Sequence, residues 1–308
     1  MALAVLDECA FFSSEDSAAP DIETYRAILP GLTTLPGSMI VGISSPYWQR
    51  GLLYDKFRRH FGKPDDDVLV IKAPSTALNP TLDPAEIARL IEDDPEAGAA
   101  EWLAEFRRDV SGFVSREAVD AATVPGRIEL PPVAGIRYVA FVDPSGGSAD
   151  SMTLAVAHRE DDGRVVLDAV RERRPPFSPE AAVAEFAELL TAYRVREVSG
   201  DRYAGEWPRE RFREHGIEYR PSDKTKSDLY RELLPLLNAG KVELLENSRL
   251  ATQLVALERR TARGGRDSID HPPGAHDDLA NAAAGAIVIA APGNTMTVGR
   301  GIYGFMRE

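Results

Sequence analysis

With 308 residues the chain can bury a full core, as one large or two smaller domains. It is 44% hydrophobic and 28% charged with no apolar run long enough to cross a bilayer, so a membrane-spanning class is excluded. A net charge of −13 argues against strong general affinity for nucleic acid, and the lone Cys9 excludes an internal disulfide and fits a reducing compartment.

The opening "MALAVLDE" reads as a strand ending in Asp7 and Glu8, and the absence of a basic n-region sets it apart from a signal peptide. "SMIVGISSP" (38–46) is a second strand, followed by a helix from Gly51 to Phe61, and "VLVIKAP" (68–74) is a third strand. Residues 83–110 have helical spacing, with Asp83 as N-cap and Pro84 at the first helical position. Residues 1–110 thus predict part of an α/β unit, and 111–135, with Gly112, Gly126 and "LPPV", read as a linker.

From residue 136 the pattern changes. Three strands in quick succession (137–143, 151–158, 164–171) predict an antiparallel meander, and a helix from Pro179 to Tyr193 precedes a strand at 195–201. Helix 205–214, strand 217–220, helix 225–238, strand 241–245 and helix 247–259 follow. A hairpin through Gly264 and Gly265 then leads to an alanine-rich helix over about 276–291, giving a second domain at 136–292 and a tail at 293–308.

Carboxylates stand at informative places in this second domain. Asp143 and Asp201 each end an apolar strand, and Asp277 and Asp278 open the last helix beside His276. Strand ends converge on one sheet edge, where sites commonly form. Acids gathered there repel one another unless a divalent cation neutralises them, and oxygen-only donors favour Mg²⁺ or Mn²⁺. Each acid also has a plainer reading: Asp143 and Asp201 as turn residues, Asp277 and Asp278 as complements of the helix dipole. Among the basic residues, Lys224 and Lys226 precede a helix near that edge, and Arg260, Arg263 and Arg266 belong to a glycine-bearing loop. These are candidates for holding a phosphate backbone without reading sequence; otherwise they are solvated surface.

The pieces "FVDPSGGSADSMTLAVA", "VSGDRYAG", "KTKSDLYRELLPLLNAGKVELLEN" and "GAHDDLANAAAGAI" together resemble the nuclease domain of the large subunit of tailed-phage DNA-packaging terminases. The resemblance implies a ribonuclease-H-like fold, a mixed sheet flanked by helices. It further implies that Asp143, Asp201 and either Asp277 or Asp278 bind two Mg²⁺ or Mn²⁺ ions and cut double-stranded DNA. Of the paired acids we favour Asp278 as direct ligand, with Asp277 as a supporting or alternate ligand.

"ALAVLDE" likewise resembles a Walker B strand, in which Asp7 and Glu8 would serve Mg²⁺ and the attacking water, and "MIVGISSP" resembles the coupling strand that follows it. No G-x-x-x-x-G-K-[ST] pattern occurs, so the expectation is an incomplete P-loop-type ATPase portion that does not hydrolyse ATP alone. By resemblance the partners are double-stranded DNA, a portal protein and a small terminase subunit, and the place of action is the cytoplasm of a bacterial host. The rival readings are a non-catalytic interaction module that keeps the fold, and a resolvase- or transposase-like nuclease on the same core.

Overall fold

A computed structural model describes residues 2–12, 19–65, 67–148, 150–201, 206–261, 267–291 and 293. The chain divides into two compact units, one made of Met1–Asp120 with Asn247–Ala280, the other of Ala121–Glu246 with Asn281–Glu308. This differs from the contiguous division expected of the sequence. The reason is strand pairing, given below with the first unit.

The first unit begins with β1 (Leu3–Asp7), a 3-10 turn (Cys9–Phe11) and α1 (Pro20–Leu32), a helix the sequence reading did not contain. β2 (Met39–Ile43) pairs in parallel with β1, Leu3 opposite Met39 and Asp7 opposite Ile43. α2 (Gly51–His60) and the short α3 (Ser75–Leu78) follow. The strand expected at 68–74 does not form: the segment has no ladder partner among the described residues, and Leu69 and Ile71 are largely exposed. An apolar, β-branched run alone cannot make a strand without a neighbour to bond.

The long helix expected over 83–110 is two helices, α4 (Pro84–Asp93) and α5 (Pro95–Leu103). Pro95 has no N–H to continue α4, and the Asp94 side chain accepts from Ala97 N to start α5 anew. The stretch read as a linker holds β3 (Val110–Gly112) and α6 (Arg116–Ala122).

In the second unit, β4 (Tyr138–Asp143), β5 (Met152–Arg159) and β6 (Val165–Arg173) form the expected antiparallel meander. Then come α7 (Pro179–Ala192), β7 (Glu197–Gly200), α8 (Trp207–Glu214), β8 (Glu218–Pro221), α9 (Lys226–Asn238) and β9 (Val242–Glu243). They complete a mixed six-stranded sheet of order β8-β7-β4-β5-β6-β9, in which β7 runs parallel to β4, β8 to β7 and β9 to β6. β5 is buried on both faces along nearly its whole length, which explains its unbroken apolar run. Val183, Phe186 and Leu190 of α7 pack with Val142, Leu154 and Val156 in one fully buried cluster.

α10 (Ser248–Ala256) and the hairpin of β10 (Glu258–Thr261) and β11 (Asp267–Asp270) return to the first unit, where β10 pairs with β3. That pairing is what makes the units discontinuous in sequence. The last helix, α11 (Asp278–Ala290), follows. Among the described residues no helix is long and apolar enough to cross a membrane. The tail expected at 293–308 lies outside the described residues apart from Gly293.

Candidate metal centre

β4 and β7 lie side by side and parallel, with Phe141 opposite Ser199 and Val142 opposite Gly200. The residues that follow this last pair are Asp143 and Asp201, so both leave the same end of adjacent strands. Gly200 is what permits the approach. A Cβ there would stand 2.5 Å from Tyr219 Oη and 2.7 Å from the Val142 carbonyl oxygen. Tyr219, from β8, donates its phenol to the Asp201 carbonyl at 2.7 Å. Burial, then the charges of Asp201 and Asp143, push the Tyr219 phenol well above its ordinary range, so it is a fixed neutral donor.

The turn after β4 is closed by Ser145, whose Oγ donates to the Asp150 carbonyl at 2.6 Å and accepts from Gly147 N at 3.3 Å. Gly147, at φ 81, sits where a Cβ would fall 2.5 Å from the Phe177 carbonyl oxygen. Asp143 is engaged elsewhere: its Oδ2 accepts from Asn281 Nδ2 at 2.8 Å. A carboxylate only accepts, so the amide nitrogen must face it. The other arm of the amide, Asn281 Oδ1, is buried and has no hydrogen-bond partner among the described residues. An orphaned oxygen in a buried amide is costly unless a donor or cation meets it. This oxygen, beside the Asp143 carboxylate, suits a hydrated hard divalent ion. Sequence reasoning missed Asn281, although it lies one helical turn after Asp278.

In the first unit, Asp277 and Asp278 are both buried, and Asp278 opens α11. Gln253 Oε1 accepts from Ala280 N at 3.0 Å, so a neutral side chain already satisfies one backbone donor of that first turn. Asp277 also belongs to a group with Asp270 and His271, whose ligand-type atoms all lie within 4.8 Å of one another.

The basic residues are placed less favourably for DNA. Lys224 is ion-paired with Glu232, and Lys226 opens α9 within the Thr225–Asp228 capping box. Arg260 is half-buried, with Nη2 2.9 Å from the His271 carbonyl oxygen and 3.3 Å from Oε2 of the sealed Glu258. It therefore serves packing first. Arg263 and Arg266 lie outside the described residues. At the start of the chain, Asp7 ends β1 with Glu8 directly after it, and Ser44, just past β2, donates to Glu8 Oε2 at 3.3 Å.

Residues 140–289 match the sequence model of a family described as "Terminase RNaseH-like domain". The chain carries a terminase RNase H-like domain. Its fold is similar to that of the large terminase nuclease of thermophilic phage G20c, 18% identical, over 55% of this chain and 94% of that one with a TM-score of 0.48. The same G20c nuclease is also known with bound magnesium. The HK97 bacteriophage large terminase is 17% identical over 92% of this chain and 70% of its own, with a TM-score of 0.47. The nuclease domain of the large terminase subunit gp2 of bacterial virus Sf6 is 14% identical over 57% of this chain and 98% of its own, with a TM-score of 0.44. Among curated proteins none matches this sequence.

Proposed function

We propose that this terminase RNase H-like domain is a metal-dependent endonuclease that cuts concatemeric double-stranded DNA during phage genome packaging. In this reading Asp143, Asp201 and Asp278, with Asp277 as the alternate, hold two Mg²⁺ or Mn²⁺ ions. The observation that carries it is the pairing of Val142 with Gly200, which delivers two aspartates to one sheet edge with the half-satisfied Asn281 amide against one of them. Bound divalent ions would supply charge neutralisation and a water acidic enough to attack a phosphodiester. The chain's own contribution is orientation. Asn281 Nδ2 fixes one oxygen of Asp143, and Tyr219 Oη holds the backbone of Asp201. Asp278 stands three residues before Asn281 on α11, and residues at that spacing share a helix face.

Lys224, Lys226, Arg260, Arg263 and Arg266 remain the proposed contacts to the DNA backbone. Asp7 and Glu8 are read as the end of a Walker B strand, supported by the parallel β1–β2 pair and the Ser44–Glu8 contact. A portal protein and a small terminase subunit are the proposed partners, in the cytoplasm of a bacterial host.

The test is nicking of supercoiled plasmid in Mn²⁺, in Mg²⁺ and in EDTA. Asp143→Asn and Asp201→Asn should each cut at least about 100-fold more slowly than the parent, with melting temperatures unchanged or higher because like-charge repulsion falls. Cutting at the parental rate by either variant would remove these aspartates from the site. A parent that cuts in neither metal would leave the non-catalytic interaction module as the better reading.

A further inference from the structure

A second cluster of ligand atoms lies wholly in the first unit, on the short path from β11 to α11. His271 Nε2 stands 3.8 Å from Asp270 Oδ1 and 4.0 Å from Asp277 Oδ1. Both separations exceed a hydrogen bond. They match the spacing of about 3–4 Å between donor atoms bound roughly 2.1 Å from one shared ion.

His271 is held at three points, two on its backbone and one on its ring. Its backbone N–H donates to Asp270 Oδ1 at 2.9 Å, and its carbonyl accepts from Arg260 Nη2 at 2.9 Å. Its Nδ1 lies 2.9 Å from the Pro272 carbonyl oxygen. A carbonyl only accepts, so Nδ1 carries the proton and donates. In the neutral ring Nε2 then keeps its lone pair, aimed at two carboxylates. Histidine ligands to metals show this arrangement, the second ring nitrogen donating to a carbonyl or carboxylate. Without a cation, a lone pair facing two acids is unfavourable. The Asp277 side chain is only 5% exposed, whereas Asp270 and His271, at 41% and 34%, leave a path for an ion to enter.

We propose that Asp270, His271 and Asp277 form a binding site for one borderline transition-metal ion of the Zn²⁺ or Co²⁺ class, separate from the oxygen-only nuclease set. One imidazole nitrogen with two carboxylates selects such an ion over Mg²⁺, which prefers oxygen donors and retains its waters. The site takes Asp277 as its ligand and leaves Asp278 to the nuclease set; only that partition rests on the nuclease reading. The metal site itself does not.

The probe is Co²⁺ added to the full chain after dialysis against EDTA, read by the visible ligand-field band and by thermal shift. The parent should bind one such Co²⁺ and melt higher with it. His271→Gln and Asp270→Asn should each bind it at least about 10-fold more weakly, while melting as the parent does in EDTA. Asp143→Asn should keep the band even where it has lost DNA cutting, which separates this site from the nuclease reading. If His271→Gln shows the parental band and affinity, or the parent shows no band at neutral pH, the site is overturned. In the second case His271 is an imidazolium set between two carboxylates.

Discussion

His158 and Asp168 face each other from β5 and β6, Nδ1 2.7 Å from Oδ2, and both side chains are nearly sealed from water. Burial pushes the Asp168 carboxyl up to about 6, with the His158 hydrogen bond pulling partly the other way. An unfolded aspartate titrates near about 3.9. Between those values the folded chain binds the proton more tightly than the unfolded chain. Asp168 therefore costs stability as pH rises through that window, and costs none below it. Asp168→Asn keeps an acceptor for His158 and removes the buried charge. It should melt a few degrees above the parent at pH 8 and level with it at pH 4, as followed by circular dichroism. A gain of the same size at both values would show that charge is not the cause. Asp143 and Asp201 were legible in sequence because an acid that ends an apolar run is visible locally. Gly200, Tyr219, Asn281 and His271 were not, since each acts on a residue from another element.

Helix α11 owes its fit on the sheet to a missing side chain. A Cβ on Gly285 would come within 2.2 Å of Phe141 Cγ, so the backbone of α11 presses on the aromatic ring of β4, the strand that ends in Asp143. Phe141 is sealed and cannot move aside. Gly285→Ala should therefore destabilise by about 1–3 kcal/mol in urea unfolding, despite the better helix propensity of alanine. In a Phe141→Leu background the same change should cost distinctly less; equal costs would place the strain elsewhere. The meander β4–β6 and helices α7 and α9 form close to where the sequence pattern places them. The 68–74 segment has the composition of a strand but the exposure of a loop. Pro95 divides the 83–110 stretch although the helical spacing continues across it.

For the whole molecule, a net charge of −13 sets the terms on which DNA is approached. The arginines at the end of β6 and just past it do not relieve it, since Arg171 pairs with Glu129, Arg173 with Glu185 and Arg174 with Glu172. Among the described residues, Lys224 and Arg260 are engaged by carboxylates as well. A plot of log binding constant against log salt should be shallow, with a slope of about −2 to −4 from a few phosphate contacts. A slope near −10, measured by fluorescence anisotropy on duplex DNA, would mean an extended basic face. The fold class was legible at this scale because strand order follows chain order from β4 to β6. The discontinuity of the units was not, because nothing local in "DVSG" marks it as the partner of β10.

The pairing of β3 with β10 has a practical consequence for anyone dividing this protein. No single cut in the chain releases both units whole. A fragment starting at residue 136 keeps β10 but loses the strand that covers one side of it, along with residues 121–135 of the unit it was meant to isolate. Its unpaired edge would offer the next molecule in solution the hydrogen bonds that β3 used to take, an invitation to self-association. A fragment that reaches back past Val110 retains its own cover.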